Sequence, residues 1–437
     1  MKNNRSLPQN ISSYIFGATL LSLAGLSLFY LNPYDFGLGG VSEPEKVYFA
    51  DHISEVYLEI INEFNEIHEG EIEVVPVDLP FEKFTTNERK EILFRFLRGN
   101  DVIDIFVVDQ IWIPRFAKWG ADLNVYLHDF VRDSLITQSQ QSAYYGDKLV
   151  SVPIHLDMGV MFYRKDLLQK HFDFESIETD LSNSISYERL FDIAEKHDAN
   201  LPKYVFQADN YESLVCNFVE LWASVNAREL TSYEDIDSVS ALKTLDALEL
   251  LIKNSGVKRA TLAQLNETSS FSYFLENHGL FLRGWPSSIM DMKSLGYSDS
   301  LLNNIGIAAL PHFMEKSFII GGWNMMISNN STKKVEAAKF IKFLMSHDSQ
   351  RKIYKSRGHV STNINLYKTS ELEKDENLRF FSNMLNYGVY RPVDKQYTRQ
   401  SDILSYYLNQ FVKGELTKKE TIHKIITGME QEDFILR

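Results

Sequence analysis

The sequence is poor in cysteine and lacks the motifs of several common enzyme classes. Cys216 is the one cysteine among 437 residues. This excludes an intrachain disulfide framework and a thiolate metal cluster, and we expect Cys216 to be a buried core thiol. The chain has no GxxxxGK(S/T) phosphate loop, no GxGxxG at the start of a helix, no HExxH and no GxSxG. Its eleven histidines show no metal-ligand spacing. The sequence therefore marks no metal site and no cofactor site.

Positive charge is also scarce. Lys and Arg number 45 against 59 Asp and Glu, which gives a formal net charge of -14. Such a surface repels phosphate backbones, so we expect no nucleic-acid partner. Hydrophobic residues make up 44% of the chain, which is enough for a large core, and the length favours two or three domains.

The N-terminus contains one long uncharged run. Residues 14–31 (YIFGATLLSLAGLSLFYL) follow Lys2 and Arg5 and are just long enough to span a bilayer as a helix. The positive charge before the run predicts an N-terminus inside the cell and a body outside. We predict that residues 1–35 are a signal or anchor segment, and favour an uncleaved tether over a cleaved signal. No cysteine lies directly after the run, so we expect no lipid anchor there.

Beyond this segment, apolar strands alternate with amphipathic helices. Residues 46–50 (KVYFA) predict a strand, and the apolar stripe within 52–66 predicts a helix after it. The segments IEVVPV and DVIDIFVVD predict two more strands, separated by a helix that opens at Thr86 or Asn87 and stops at Gly99. The continuously apolar DVIDIFVVD is typical of a strand buried on both faces. This β-α-β-α-β order predicts a doubly wound layer.

Two prolines mark places where the chain is expected to pass between two bodies. Pro153 interrupts an extended run, which indicates an edge or a crossing point, and Pro311 ends the strand-like IGIAAL. We therefore predict two lobes joined by at least two crossings. The predicted bounds are 45–155 plus about 311–353 for lobe 1, and about 156–310 plus 354–437 for lobe 2.

Aromatic and acidic residues stand at the ends of the predicted elements. Asp109 ends a strand and is followed by Trp112, and Asp157 lies just past the interrupting proline. Trp285 and Trp323 each follow a glycine. Open α/β sheets bind ligands at strand carboxyl ends. An indole can hold the apolar face of a pyranose, and a carboxylate can accept hydrogen bonds from its hydroxyls. The pattern therefore suggests a sugar site.

Each of these residues also has a structural alternative. The tryptophans could be core residues, Asp109 could cap the next segment, and Asp157 could make hydrogen bonds at a hinge. Arg391 could be the partner in a surface salt bridge. The many carboxylates also leave open a glycosidase-like acid/base pair.

Five stretches carry a resemblance to a known family. In chain order they are FVVDQIWIPRFAKWG, GDKLVSVPIHLDMGVMFYRKDLL, LRGWPSSIMDM, IGIAALPHF with IGGWNMMISNNSTKKVEAAKFIKFLMS, and YRPVDKQYTRQSDILSYYL. From about Lys46 to its end, the chain resembles the extracellular solute-binding proteins of ABC importers, in the maltose/trehalose-binding branch. The resemblance implies an α/β, periplasmic-binding-protein-like fold, with two doubly wound lobes, a hinge and a ligand cleft between the lobes.

The resemblance also implies which residues contact a sugar. Asp109 and Asp157 match hydroxyl acceptors, and Trp285 and Trp323 match stacking plates. The further contacts that it implies are Gly322, Arg391, Arg89, Glu55, Trp112 and His155. His155 stands where relatives often carry an aromatic such as tyrosine, a departure that bears on sugar preference.

The function implied by the resemblance is capture rather than catalysis. The receptor binds a sugar or oligosaccharide outside the cytoplasmic membrane by hinge closure and delivers it to the membrane subunits of an ABC transporter. No enzyme activity, metal or cofactor is expected. Two alternatives stay open. One is a membrane-tethered carbohydrate sensor of the same fold, and the other is an exported carbohydrate-active enzyme.

Overall fold

The computed structural model describes residues 43–80, 86–99, 103–170, 172 and 174–431. The predicted membrane segment 14–31 lies outside these residues and stays a prediction. Within the described part of the chain, no helix combines the length and the apolar character that a membrane crossing requires.

Short strands and helices alternate along the chain. The strands are β1 Glu45–Asp51, β2 Ile72–Asp78, β3 Ile105–Asp109, β4 Tyr144–Tyr145, β5 Lys148–Leu149, β6 Val152–Met158, β7 Val160–Arg164, β8 Tyr204–Val205, β9 Phe281–Gly284, β10 Ile305–Ala309, β11 Phe318–Ile327, β12 Val360–Ser361 and β13 Gly388–Val389. The α-helices are α1 Glu55–Ile67, α2 Thr86–Arg98, α3 Ile113–Phe116, α4 Asn124–Ser134, α5 Thr137–Gln140, α6 Lys165–Leu168, α7 Phe174–Ser182, α8 Tyr187–Ala194, α9 Glu212–Asn226, α10 Ser238–Asn254, α11 Arg259–Leu262, α12 Glu267–Glu276, α13 Ser288–Ser294, α14 Asp299–Leu302, α15 Lys334–Leu344, α16 His347–Arg357, α17 Thr369–Leu372, α18 Glu376–Met384, α19 Tyr397–Lys413 and α20 Lys418–Glu430.

The first β-α-β-α-β unit folds as the sequence predicts. β1 pairs in parallel with β2 on one side and with β3 on the other. The apolar stripe of α1 is buried, and α2 ends one residue before Gly99. The apolar periodicity of this segment therefore determines both the type and the order of its elements.

Within the described residues, seven strands form the larger sheet. Its order is β12-β6-β11-β3-β1-β2, and β13 pairs with β11 off this path. β11 runs antiparallel to β3 and to β6. Pro153 lies in β6, and β12 pairs with β6 only at Leu156 and His155. The missing amide of Pro153 is therefore tolerated, because β12 does not extend along β6 that far.

The larger sheet is buried on both faces. Along β3, Ile105 and Val107 belong to one hydrophobic cluster, together with α1 and α15, whereas Phe106 and Val108 belong to the other. Met325 and Met326 of β11 divide between the two clusters in the same way. This alternation is the two-residue period of a strand with helices packed on both sides.

A second sheet follows directly along the chain. β7 begins two residues after β6 ends, and the described strands of this sheet have the order β10-β7-β9-β8. The long helix α9, buried along most of its length, packs against α10 and α19 beside this sheet. The chain thus passes from the larger to the smaller sheet at Gly159, close to the crossing that Pro153 predicts. The residue bounds of the two lobes stay a prediction. Val360–Ser361, which the sequence analysis places in lobe 2, pairs with the larger sheet.

Candidate functional site

Three neighbouring strands of the larger sheet bring four predicted site residues together. In the register of the sheet, Trp323 of β11 lies opposite Asp109 of β3 on one side and His155 of β6 on the other. Asp157 lies opposite Gly321. The end of β3 and the neighbouring parts of β6 and β11 therefore bring two carboxylates, an imidazole and an indole close together.

A glycine permits the close approach of these strands. Gly322 has φ +155°, and a Cβ built on it would lie 2.6 Å from the carbonyl oxygen of His155. The register between β11 and β6 shifts at Trp323/Asn324, immediately after it. A side chain at position 322 would push β11 away from β6, so the glycine keeps the Trp323 indole close to the acidic residues.

The Trp323 indole is held by two polar groups. Its side chain donates a hydrogen bond to the Asp157 carboxylate, and the Arg89 guanidinium carbon lies 5.0 Å from the ring centroid. Arg89 is buried, and its Nη2 donates to Asp51 Oδ1 at 2.9 Å. The buried ion pair of Arg89 with Asp51 therefore holds one face of the Trp323 indole in place.

Trp285 has the same arrangement beside the smaller sheet. The Arg283 guanidinium carbon lies 3.9 Å from its ring centroid, and Arg283 Nη2 donates to Glu220 Oε1 at 2.7 Å. Arg283 is buried, whereas the indole is only partly buried. A carboxylate, an arginine and an indole therefore stack in that order next to each sheet.

The turn that follows Trp285 packs against the segment between α16 and β12, and β12 belongs to the larger sheet. A Cβ built on Gly358 would lie 3.3 Å from the carbonyl oxygen of Pro286. Beside it, Arg357 Nη2 donates to Asp291 Oδ1 at 3.3 Å. His359, which follows Gly358 in the chain, stacks on His155 with the ring centroids 3.9 Å apart. The turn after Trp285 is therefore close to the segment that contacts β6.

Arg391 connects the two halves through ion pairs. Its Nη2 donates to Asp109 Oδ1 at 3.0 Å and its Nη1 to Glu212 Oε1 at 2.7 Å. Glu212, the first residue of α9, also accepts hydrogen bonds from the Tyr397 hydroxyl and from Ser401 Oγ. Arg391 is only 4% exposed, so the alternative of a surface salt bridge is wrong.

Burial raises the pKa of both carboxyls in this cluster. It raises the pKa of Asp157 to about 7, with further upward contributions from Asp109 and Asp291. Burial also raises the pKa of Asp109, although the Arg391 guanidinium opposes this. The Asp157 side chain is 22% exposed and that of Asp109 13%. Both can therefore reach a ligand that displaces water from this cluster.

His155 is neutral in its surroundings. Burial lowers its pKa to about 3, and the nearby Arg357 contributes in the same direction. Its Nε2 lies 3.9 Å from Asp157 Oδ2. The His155 imidazole therefore presents a flat, uncharged face, as expected at a position where relatives often carry an aromatic residue.

Two predicted site residues have surroundings unlike those of this cluster. Trp112 is buried in the core next to α3, with Lys90 Nζ 5.4 Å from its ring centroid. Glu55 is exposed at the start of α1. Neither position offers the combination of partial exposure and polar partners that marks the cluster around Trp323.

Sequence reasoning missed several residues of the cluster. Glu212 and His359 have no motif around them, and each meets its partner only after distant segments have folded together. Asp291 lies within the stretch LRGWPSSIMDM, but the pattern there does not mark it as a site residue. The stretch SRGHVS carries one weak signal, a glycine beside a histidine, at Gly358 and His359.

Comparison with known proteins agrees with this architecture. Residues 50–351 match the family profile described as "Bacterial extracellular solute-binding protein". A "Probable ABC transporter-binding protein" of Deinococcus radiodurans is 24% identical over 328 residues, which cover 72% of this chain and 76% of that protein.

Solved structures show the same fold. Maltose-bound MalE3 of T. maritima has a TM-score of 0.74 at 22% identity, covering 88% of this chain and 99% of that one. An ABC transporter solute-binding protein from Thermotoga lettingae, bound with α-D-tagatose, has a TM-score of 0.73 at 18% identity, covering 89% and 100%. The predicted periplasmic-binding-protein-like α/β fold is confirmed.

Proposed function

Since the chain belongs to the family of bacterial extracellular solute-binding proteins, we propose that it is the substrate-binding receptor of an ABC importer and that its ligand is a sugar or an oligosaccharide. The observation that carries this proposal is the pair of indoles backed by arginines, Trp323 beside the larger sheet and Trp285 beside the smaller one. Two structural relatives are bound to maltose and to α-D-tagatose, which supports a carbohydrate.

The residues of the cluster match the two surfaces of a sugar ring. The indoles offer apolar plates for the C–H face of a pyranose. The carboxyls of Asp109 and Asp157 offer oxygen acceptors for hydroxyls at the ring's edge. A hydrogen bond to a charged group contributes about 1.5–3 kcal/mol. Such bonds and two stacking contacts together are consistent with a micromolar dissociation constant, after the cost of ordering is subtracted.

Hinge closure is the proposed means of capture. The two plates are attached to different sheets, so a sugar touches both only when the halves approach each other. Binding then shifts the population toward the closed form. Arg391 spans the same gap through Asp109 and Glu212, and so we propose that it positions Asp109, in addition to the direct sugar contact that the resemblance implies.

The place of action follows in part from the family. The family is extracellular, so the chain acts outside the cytoplasm. We propose further that residues 14–31 tether it to the cytoplasmic membrane. Tethering would raise its effective concentration at the importer's membrane subunits.

The test is binding of defined sugars to the full-length protein. Thermal shift and calorimetry would be measured with mono-, di- and trisaccharides, for the parent and for Trp323→Ala and Trp285→Ala. We expect one sugar to raise the melting temperature of the parent, and each substitution to weaken its binding at least about tenfold, because stacking area is lost.

Trp119→Ala is the matched control. Trp119 packs on Phe94 and Phe116, away from the cluster, so its loss lowers stability without changing sugar affinity. Unchanged affinity in both site variants would overturn the assignment of the site. Conversion of the sugar into a product would overturn the receptor function.

A further inference from the structure

Two passages of the chain between the sheets meet at one buried carboxylate. β6 passes into β7 at Gly159, and residues 310–317 lead from β10 into β11. The Gly159 amide donates to the Ile319 carbonyl oxygen at 3.1 Å, and the Ile319 amide donates to Glu220 Oε1 at 3.1 Å. A Cβ built on Gly159 would overlap Glu220 Oε1. The Glu220 carboxylate therefore lies against both crossings.

Helix α9, which carries Glu220, also holds the second crossing at several points. The Glu220 carbonyl oxygen accepts a hydrogen bond from Ser317 Oγ at 2.8 Å. One turn further along α9, Ser224 Oγ donates to the Glu315 carbonyl oxygen at 2.7 Å and accepts from the Phe313 amide at 2.9 Å. This crossing is therefore bound to α9 up to the first residues of β11.

The same carboxylate holds the arginine behind one indole. Glu220 Oε1 accepts from Arg283 Nη2 at 2.7 Å, and Glu220 Oε2 accepts from Arg283 Nε at 3.3 Å. Arg283 is 1% exposed and Glu220 6%. Since the Arg283 guanidinium lies over the Trp285 ring, a continuous line of contacts leads from the crossings through Glu220 and Arg283 to the indole.

From these contacts, and resting on the receptor function proposed above, we propose that Glu220 is a positioning residue for sugar capture. Glu220 is buried behind Arg283, so it acts on the sugar only through the Trp285 indole. Its carboxylate fixes that indole relative to the point about which the two halves turn. A contact at the pivot of a rotation moves little, so Glu220 keeps its partners in the open and in the closed form.

A purely structural role makes a different prediction. An ion pair that only stabilises the smaller half needs Glu220 and Arg283 alone, and its loss would affect sugar binding to the same extent with any side chain at position 285. A positioning role requires the Trp285 indole. The energetic coupling between Glu220 and Trp285 therefore separates the two roles.

A double-mutant cycle on sugar affinity tests the proposal. Calorimetry gives the dissociation constant of the sugar with the largest thermal shift for the full-length parent, Glu220→Gln, Trp285→Ala and the double variant. Glu220→Gln keeps the shape of the side chain and removes the charge that holds Arg283. We expect it to weaken binding at least about tenfold in the parent, but less than about threefold in the Trp285→Ala background.

Gly159→Ala provides a second variant for the same cycle, and it replaces Glu220→Gln if that protein does not fold. The added methyl group displaces the Glu220 carboxylate from the crossings and leaves both charges of the pair in place. We expect the same dependence on Trp285, with weaker sugar binding in the parent background and little further loss in Trp285→Ala.

The matched control is Asp166→Asn. Asp166 also accepts two hydrogen bonds from a buried arginine, Arg164, but this pair lies at the other end of β7 from Gly159. We expect the variant to bind the sugar like the parent.

Three results would overturn the positioning role and leave the receptor function standing. They are parent-like affinity of Glu220→Gln, equal weakening by Glu220→Gln in both backgrounds, and a loss in Asp166→Asn as large as that in Glu220→Gln. A parent that binds no sugar would overturn the receptor function and the role of Glu220 together.

Discussion

At the scale of single residues, the cluster depends on buried arginines that are paired with carboxylates. The ion pairs of Arg89 with Asp51, of Arg283 with Glu220, and of Arg391 with both Asp109 and Glu212 all have little exposure of the arginine. Each pair fixes a group that faces the proposed ligand. Such pairs add little net stability, because removing charges from water is costly, but losing one partner leaves the other uncompensated.

Arg391→Met tests the cost of losing one partner in the ion pairs that join the two halves. The substitution keeps much of the side-chain volume but leaves Asp109 and Glu212 without their cation. We expect the free energy of unfolding to fall by about 3–5 kcal/mol, measured by urea denaturation of the full-length protein.

The control for Arg391→Met is Arg132→Ala. Arg132 pairs with Asp129 and Asp133 on the solvent-exposed face of α4, and we expect its loss to leave the urea midpoint unchanged. Equal effects of the two substitutions would show that Arg391 is not the buried link described above.

At the scale of secondary-structure elements, β11 holds the site in register between β3 and β6. Its two adjacent glycines have different surroundings. A Cβ at Gly322 meets the His155 carbonyl oxygen at 2.6 Å, whereas at Gly321 the nearest atom is Arg391 Nη2 at 3.5 Å, an ordinary contact. The two positions therefore form a natural pair for comparison.

We expect Gly322→Ala to lower the free energy of unfolding by about 1–3 kcal/mol and to weaken sugar binding, because β11 must move away from β6. Gly321→Ala should change stability by less than about 1 kcal/mol. Thermal denaturation and sugar titration of both variants check this. A larger loss for Gly321→Ala than for Gly322→Ala would contradict the role given to the close strand approach.

Elements could be predicted from the sequence, but most of the pairings between them could not. The apolar run that ends at Asp109 and the stripe of α1 have periods that fix their structure locally. Asp109 could be proposed as a site residue because it ends a strand that is visible in the sequence, and Asp157 because it lies just past the interrupting Pro153. Glu212 and His359 were missed because their roles arise only from contacts with Arg391 and His155, which lie far away along the chain.

At the scale of the whole molecule, the two stacks of carboxylate, arginine and indole belong to different sheets. β6 and β7 join these sheets through the single residue Gly159. Further links are the ion pairs of Arg391 with Glu212 and of Arg357 with Asp291. A one-residue connection between the two sheets is a place where the angle between the halves can change while each sheet stays intact.

We therefore expect a bound sugar to make the molecule more compact. Small-angle X-ray scattering of the full-length protein should show a smaller radius of gyration when the sugar with the largest thermal shift is added at saturation, since the halves close on it. Trp323→Ala at the same sugar concentration should keep the ligand-free radius, and Trp119→Ala should respond like the parent. An unchanged radius in the parent, at a concentration where calorimetry shows full occupancy, would mean that the sugar binds to one half alone and that closure is not part of capture.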